Sequence, residues 1–228
     1  IADNIYQVMK NAGGSDDSLY LMPWNTQILY IYYRPSVFKE AGITQTPETY
    51  DEFIEDIKKC TMDTDGDGKT DIYGFGMRGG AGGQEPWGDF IYGQGGSFDD
   101  LTSKESVKGM QDFIDLYQGG YVPKSATSDG FQETLANFQS GLTAMFVHHV
   151  GSSKGLIEAL GDDVDAFMVP KGKGQWTSMG DTETVMFESC ENKEAAFEWM
   201  KYLAANERGK METEQLLREK RVFVHFDR

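Results

Sequence analysis

Residues 19–35 run Leu19-Tyr20-Leu21-Met22-Pro23-Trp24-Asn25-Thr26-Gln27-Ile28-Leu29-Tyr30-Ile31-Tyr32-Tyr33-Arg34-Pro35. Their second half, Ile28 to Tyr33, is the longest unbroken apolar run of the chain, far below the ~20 residues of a membrane helix. The pattern predicts extended structure over 19–33, broken at Pro23 and ended by Arg34-Pro35, because the residue before a proline is driven from helical geometry. Working outward, Ser36 to Ala41 reads as a short helix stopped at Gly42, whose missing Cβ permits a left-handed cap. Thr49-Tyr50-Asp51-Glu52 is a capping box, followed by Tyr50, Phe53, Ile54 and Ile57 as one buried helical stripe.

Farther on, Ile72 to Met77 is a short strand, and glycine-rich sequence leads through Gln84-Glu85-Pro86-Trp87 into a helix reaching Tyr92. Ser103 caps a helix expected to turn Val107, Met110, Phe113 and Tyr117 inward. Phe131, Leu135 and Phe138 mark the next helix, closed by Gly141. Thr143 to His148 is a strand, 153–160 a helix, Ala166 to Val169 and Thr184 to Glu188 strands, and Asn192 caps a helix carrying Ala196, Phe197, Met200 and Leu203. Strands alternating with helices make this an α/β chain, with helices covering a mixed sheet. The last stretch, 208–228, is a charged segment of different character.

The 228 residues suit one large domain or two modest lobes, and 39% apolar with 25% charged residues is a globular composition. Lys and Arg number 21 against 37 Asp and Glu, for a net charge of −16 that would repel a phosphate backbone, so no nucleic-acid partner is expected. Cys60 and Cys190 form no metal or redox motif; a single bridge is open to them in an exported protein, but they read rather as two buried, inert thiols. The start, Ile1-Ala2-Asp3-Asn4, has no signal segment and no initiator Met, as in a processed or cut chain.

Four groups could carry chemistry. In Asp63-Thr64-Asp65-Gly66-Asp67-Gly68-Lys69-Thr70-Asp71, carboxylates at spacing two resemble a calcium loop, with Asp63, Asp65, Asp67, the Lys69 carbonyl and Asp71 as ligands. Gly74 replaces the bidentate Glu of the twelfth position, so affinity near ~10⁻⁴ M or weaker is expected. The alternative is a solvated turn closed by its own aspartates. Trp24, Trp87 and Trp176 sit in expected loops with Asn25, Gln27, Glu85 and Asp181, a combination suited to sugar rings and their hydroxyls, though loop tryptophans also plug cores. His148-His149 ends a strand, so one histidine should face the core or a pocket and the other solvent. Glu85 and Asp89, one helical turn apart, could pose as a glycosidase pair about 6 Å apart.

The order of segments then becomes informative. Leu19 to Trp24 and Leu29 to Arg34 resemble the "LYALP…LYYN" segment of extracellular solute-binding proteins of ABC transporters, in the sugar-binding family that includes maltose-binding protein. Val37 to Gly42, Pro47 to Phe53, Asp65 to Gly68, Tyr73 to Phe75, Gln84 to Trp87, Ala136 to Gly141, Ala144 to Phe146 and Asn192 to Ala196 follow in that family's order, over roughly 19–206.

The resemblance implies a type II periplasmic-binding-protein-like fold, two lobes of mixed sheet flanked by helices that close on a ligand in the cleft between them. It implies 30–177 as the second lobe, with 1–29 and 178–207 as an incomplete first lobe. By the same likeness, Glu85 and Trp87 hold the sugar, Gln27 replaces a cleft carboxylate, and Trp24, Asn25 and Asp181 flank the cleft. His149-Val150-Gly151 replaces the family's "GPW", removing a stacking tryptophan. The expected function is binding of a mono- or oligosaccharide for an ABC importer, by an exported monomer of the periplasm or cell surface that meets the transporter's membrane subunits. The other possibilities are a carbohydrate-active enzyme and a calcium-stabilised sensor or interaction lobe.

Overall fold

Neighbouring residues of one strand feed two different cores. In the computed structural model, which describes residues 21–204, strand β1 (Met22–Tyr33) carries Ile31 into one apolar cluster and Tyr32 into another. Strand β3 (Thr143–His149) does the same with Met145 and Phe146. Successive side chains of a strand point to opposite faces, so a sheet covered on both sides needs apolar residues at every position. That is why these stretches lack polar alternation. Pro23 does not break β1 as expected; a proline is tolerated at the start of a strand, where no ladder hydrogen bond is lost.

The described residues fall into two compact units, 28–178 and 21–27 with 179–204. In the larger, the strand order is β2-β3-β1-β4, with β2 (Tyr73–Gly76) parallel to β3 and β1 antiparallel to both β3 and β4 (Asp165–Phe167). Tyr32 lies opposite Phe146 on one side and Ala166 on the other. Helices α1 (Pro35–Glu40), α2 (Tyr50–Lys59), α3 (Gln84–Gly93) and α4 (Lys104–Gln118) contribute to the larger cluster, around Phe53, Phe75, Phe90 and Phe113. Helices α5 (Phe131–Gln139) and α6 (Ser153–Leu160) supply Phe138 and Leu156 to the smaller one.

The capping box at α2 forms as read: Thr49 Oγ1 accepts from the Glu52 amide at 3.3 Å, and Glu52 accepts from the Thr49 amide at 2.9 Å. Strand β2 can lie against α2 only because residue 74 is glycine; a Cβ there would stand 1.7 Å from the Ile57 carbonyl oxygen. The buried face of α4 differs from the expected stripe. Phe113 is buried, but Val107 and Tyr117 are exposed, and Ser106, Gly109 and Leu116 face inward instead. The reason is close helix packing: Gly109 lies against the backbone of α3, where a Cβ would meet the Phe90 carbonyl at 2.5 Å. Cys60 is buried, its thiol pushed up to about 12 by burial; Cys190 is half-buried rather than buried.

In the smaller unit, β5 (Met179–Thr184) pairs with β1, and the Thr184 hydroxyl donates to the Met22 carbonyl at 3.2 Å. The strand expected from Thr184 to Glu188 thus ends where it was to begin. Helix α7 (Lys193–Ala204) follows, with the Ala196 amide bonded to the Asn192 carbonyl. Met200 is buried, whereas Phe187, Phe197, Trp199 and Tyr202 are exposed. Residues 1–20 and the expected charged segment 208–228 lie outside the described residues, as do the side chains of Trp24, Asn25 and Asp181.

Candidate functional site

Strand β2 ends at Gly76, and two residues later Arg78 enters the interior of the larger unit at 4% exposure. The chain then turns through Gly79 to Gly83, with Gly82 at a φ of +81°, and opens α3 at Gln84. This brings Glu85 back onto Arg78: the guanidinium Nη2 donates to Glu85 Oε2, and a third of the Glu85 side chain remains open to solvent. Arg78 also lies over the Phe131 ring, 5.8 Å from its centroid. Phe131, the first residue of α5, stacks on His149 at the end of β3, with centroids 5.0 Å apart and planes 12° apart, and lies tilted against His148 with centroids 3.9 Å apart.

Charge in this cluster is nearly self-cancelling. His148 is buried and held down to about 3, chiefly by that burial, and its Nδ1 meets the Ser152 hydroxyl at 2.7 Å. His149, half-buried, is lowered by burial first; the charge of Glu85 opposes this and that of Arg78 adds to it. Asp89, one turn beyond Glu85 on α3, is only 3% exposed, and burial followed by the Glu85 charge raises its carboxyl well above the usual range. Buried polar atoms nearly always find partners. Here Arg78 Nε, both Asp89 oxygens, His148 Nε2 and His149 Nδ1 have none. A concentration of unpaired polar atoms beside a charge pair and a stacked aromatic face marks a place arranged for more than packing.

The other expected site residues are placed differently. Glu85 and Trp87 are two residues apart within α3, hence about 200° apart around its axis. Glu85 meets Arg78, while Trp87 packs against the larger core and lines a cavity of about 220 Å³ with Met77, Met110, Phe113, Ile114 and Tyr117. Its Nε1 is buried without a partner. Trp176 stacks on Tyr92 at 6.0 Å, meets Phe98 edge-on at 5.4 Å and lies flat against Gly88. Gln27 is half-buried on β1, in the smaller unit. The structure therefore brings together Glu85 and His149 and keeps Trp87 and Trp176 on other surfaces. Sequence reasoning missed Arg78 and Phe131. The signal for the first was present, a lone basic residue between a strand and a glycine-rich turn in an acidic chain; Phe131 was hidden in an ordinary helical stripe.

The aspartate loop closes on itself. Asp63 accepts from the Gly66 and Gly68 amides at 2.7 and 2.8 Å, and Asp71 from the amide and hydroxyl of Thr64 at 2.8 and 2.6 Å, which hold its carboxyl below the usual range. Oxygens of Asp63, Asp65 and Asp71 lie within 4.8 Å of one another, a spacing that fits one oxygen-seeking cation. Asp67 is outside that group and pairs with the Lys69 ammonium at 2.5 Å.

Comparison with known proteins agrees with this architecture. Solved structures with the same fold include an ABC transporter solute-binding protein of Thermotoga lettingae bound with α-D-tagatose (22% identity, TM-score 0.72, 85% of this chain and 52% of that one). Others are the maltose-bound MalE3 of T. maritima (22%, 0.73, 88% and 56%) and a solute-binding protein of Agrobacterium radiobacter in complex with ribitol (24%, 0.73, 97% and 57%). The chain spans about half the length of these structures. No curated protein matches it. Among the described residues no helix is long and apolar enough to cross a membrane. The family model described as bacterial extracellular solute-binding protein matches residues 1–210. With that match over nearly the whole chain and the type II binding-protein fold beneath it, the chain belongs to the bacterial extracellular solute-binding protein family.

Proposed function

We propose that the protein binds a sugar or polyol, without turning it over, and delivers it to an ABC importer. The observation that carries this is the cluster of Glu85, Arg78, His149 and Phe131. Phe131 and His149 are each half-exposed; aromatic rings offer apolar surface to the C–H side of a sugar, and the half-open Glu85 carboxylate accepts from hydroxyls. The ligands named for the related structures, a ketose, a disaccharide and a pentitol, share that chemistry. The glycosidase alternative needs two accessible carboxylates, whereas Asp89 is sealed beneath the surface.

On this reading the protein acts as a monomer in the periplasm or on the cell surface and meets the membrane subunits of its transporter. Trp24, Asn25, Gln27 and Asp181 belong to the smaller unit. The exposed apolar side chains of that unit support its being part of a larger lobe. The aspartate loop would hold a weak structural calcium ion. A thermal-shift panel of D-tagatose, D-mannitol, maltose and ribitol against the full chain tests the reading. A ligand at a hundredfold excess over Kd stabilises by about 2.7 kcal/mol. A panel in which no sugar or polyol moves the midpoint, while amino acids or ions do, would overturn it.

A further inference from the structure

We propose that Arg78 is the positioning residue of this site, fixing the Glu85 carboxylate and the Phe131 ring from behind in the orientation a carbohydrate meets. The proposal rests on the carbohydrate reading above. At 4% exposure the guanidinium is out of reach of a ligand, so any part it plays passes through its neighbours. Those neighbours are the walls of the site. Its Nη2 holds Glu85, its guanidinium carbon lies 5.8 Å from the Phe131 ring centroid, and its Nη1 would stand 3.3 Å from a Cβ at Gly82, in the turn that leads into α3. One side chain thus ties together the acid on α3, the aromatic at the head of α5 and the turn between β2 and α3.

Stability alone is a poor reason for this arrangement. Burying a guanidinium is costly unless its donors are all used, and apolar replacements of buried ion pairs are often neutral or stabilising. Arg78 leaves Nε unpaired, so the fold carries an incomplete polar group. What the pair supplies is direction: a carboxylate anchored through Oε2 to a buried, rigid guanidinium keeps its remaining lone pairs in one orientation. Lysine could return the charge but not the planar, pre-organised guanidinium.

Arg78→Met, Arg78→Lys, Glu85→Gln and the double variant Arg78→Met/Glu85→Gln test this in the full chain. Affinity is measured calorimetrically, at a temperature where every variant is folded, with whichever of D-tagatose, D-mannitol, maltose and ribitol binds the unaltered protein most tightly. Melting is followed in parallel without sugar. Arg78→Met should weaken binding about thirtyfold, as loss of an interface anchor does. Arg78→Lys should recover part of that. The double variant should lose less than the sum of the two single losses, because much of the arginine's part passes through the acid, and should melt above Glu85→Gln, in which a buried cation stands alone. Unchanged affinity in Arg78→Met with a lowered melting temperature overturns the proposal, as do additive losses in the double variant. If no sugar binds the unaltered protein, the carbohydrate reading fails first and the proposal with it, a result seen before any variant is made.

Discussion

Replacing Asp89 with asparagine should leave the folded chain unchanged in stability near pH 4 and make it progressively more stable than the native sequence as pH rises. The Asp89 carboxyl is buried with neither oxygen hydrogen-bonded, and burial, then the charge of Glu85, raises its pKa. In the unfolded chain it ionises near pH ~3.9. Between that value and the folded one, the native state binds more protons than the unfolded state, so stability falls with pH. The loss is ~1.4 kcal/mol per pH unit until the folded pKa is passed, and it vanishes below the unfolded pKa. An amide of the same shape carries no such proton. At roughly 2–4 °C per kcal/mol for a chain of this size, the two melting curves should separate by about 3–6 °C for each pH unit in that window. Asp89→Leu should add a gain of about 1–3 kcal/mol at every pH, because it also removes the unpaired polar atoms. Melting followed by circular dichroism at half-unit intervals from pH 4 to 7.5 reads both effects. Curves that stay parallel across the range, or an asparagine variant less stable at neutral pH, would mean the carboxylate is ionised and paired, refuting the reasoning.

Trp87→Ala should lower stability by about 3 kcal/mol while the folded protein keeps its sugar affinity, since the ring packs against the core away from Glu85; an unchanged melt with lost binding would put the ring at the ligand. Gly74→Ala drives a Cβ into the Ile57 backbone and should cost about 3 kcal/mol or more, seen as a steep fall in melting temperature or in soluble yield; a variant melting like the native chain would show that α2 and β2 can separate freely. Millimolar calcium should raise the melting temperature and a chelator reverse it, with Kd near ~10⁻⁴ M or weaker, and Asp63→Asn should abolish the response. Calorimetry without heat at millimolar calcium would leave the loop a turn.

What sequence could specify here was local chemistry and segment order. The Thr49–Glu52 box formed because both its partners lie within one turn, and the apolar runs at Ile28 and Thr143 named the central strands. Segment order then carried the family. What escaped was set by contacts between distant residues. The inward face of α4 follows from Gly109 meeting the α3 backbone, which no periodicity in 104–118 reveals. Glu85 and Trp87 look adjacent in sequence, yet beginning the helix at Gln84 turns them apart. Arg78, Phe131 and His149 lie far apart along the chain and meet only through the packing of β2, α5 and β3.

The position of β1 has a consequence for how the chain is made. Leu29 has its partner at His149 and Ile31 its second partner at Phe167, so the central strand of the larger unit is synthesised long before either neighbour. At ribosomal rates of about 5–20 residues per second, Ile28 to Tyr33 emerges and waits on the order of ten seconds without an edge to pair with. By contrast, α3 and α4 pack together as consecutive helices of the chain. Two bare edges on an apolar, uncharged run are the features that lead strands into the wrong sheet. The vulnerable species is therefore the nascent chain rather than the finished one, and a message truncated before the codon for Phe167 would leave that run without its second neighbour.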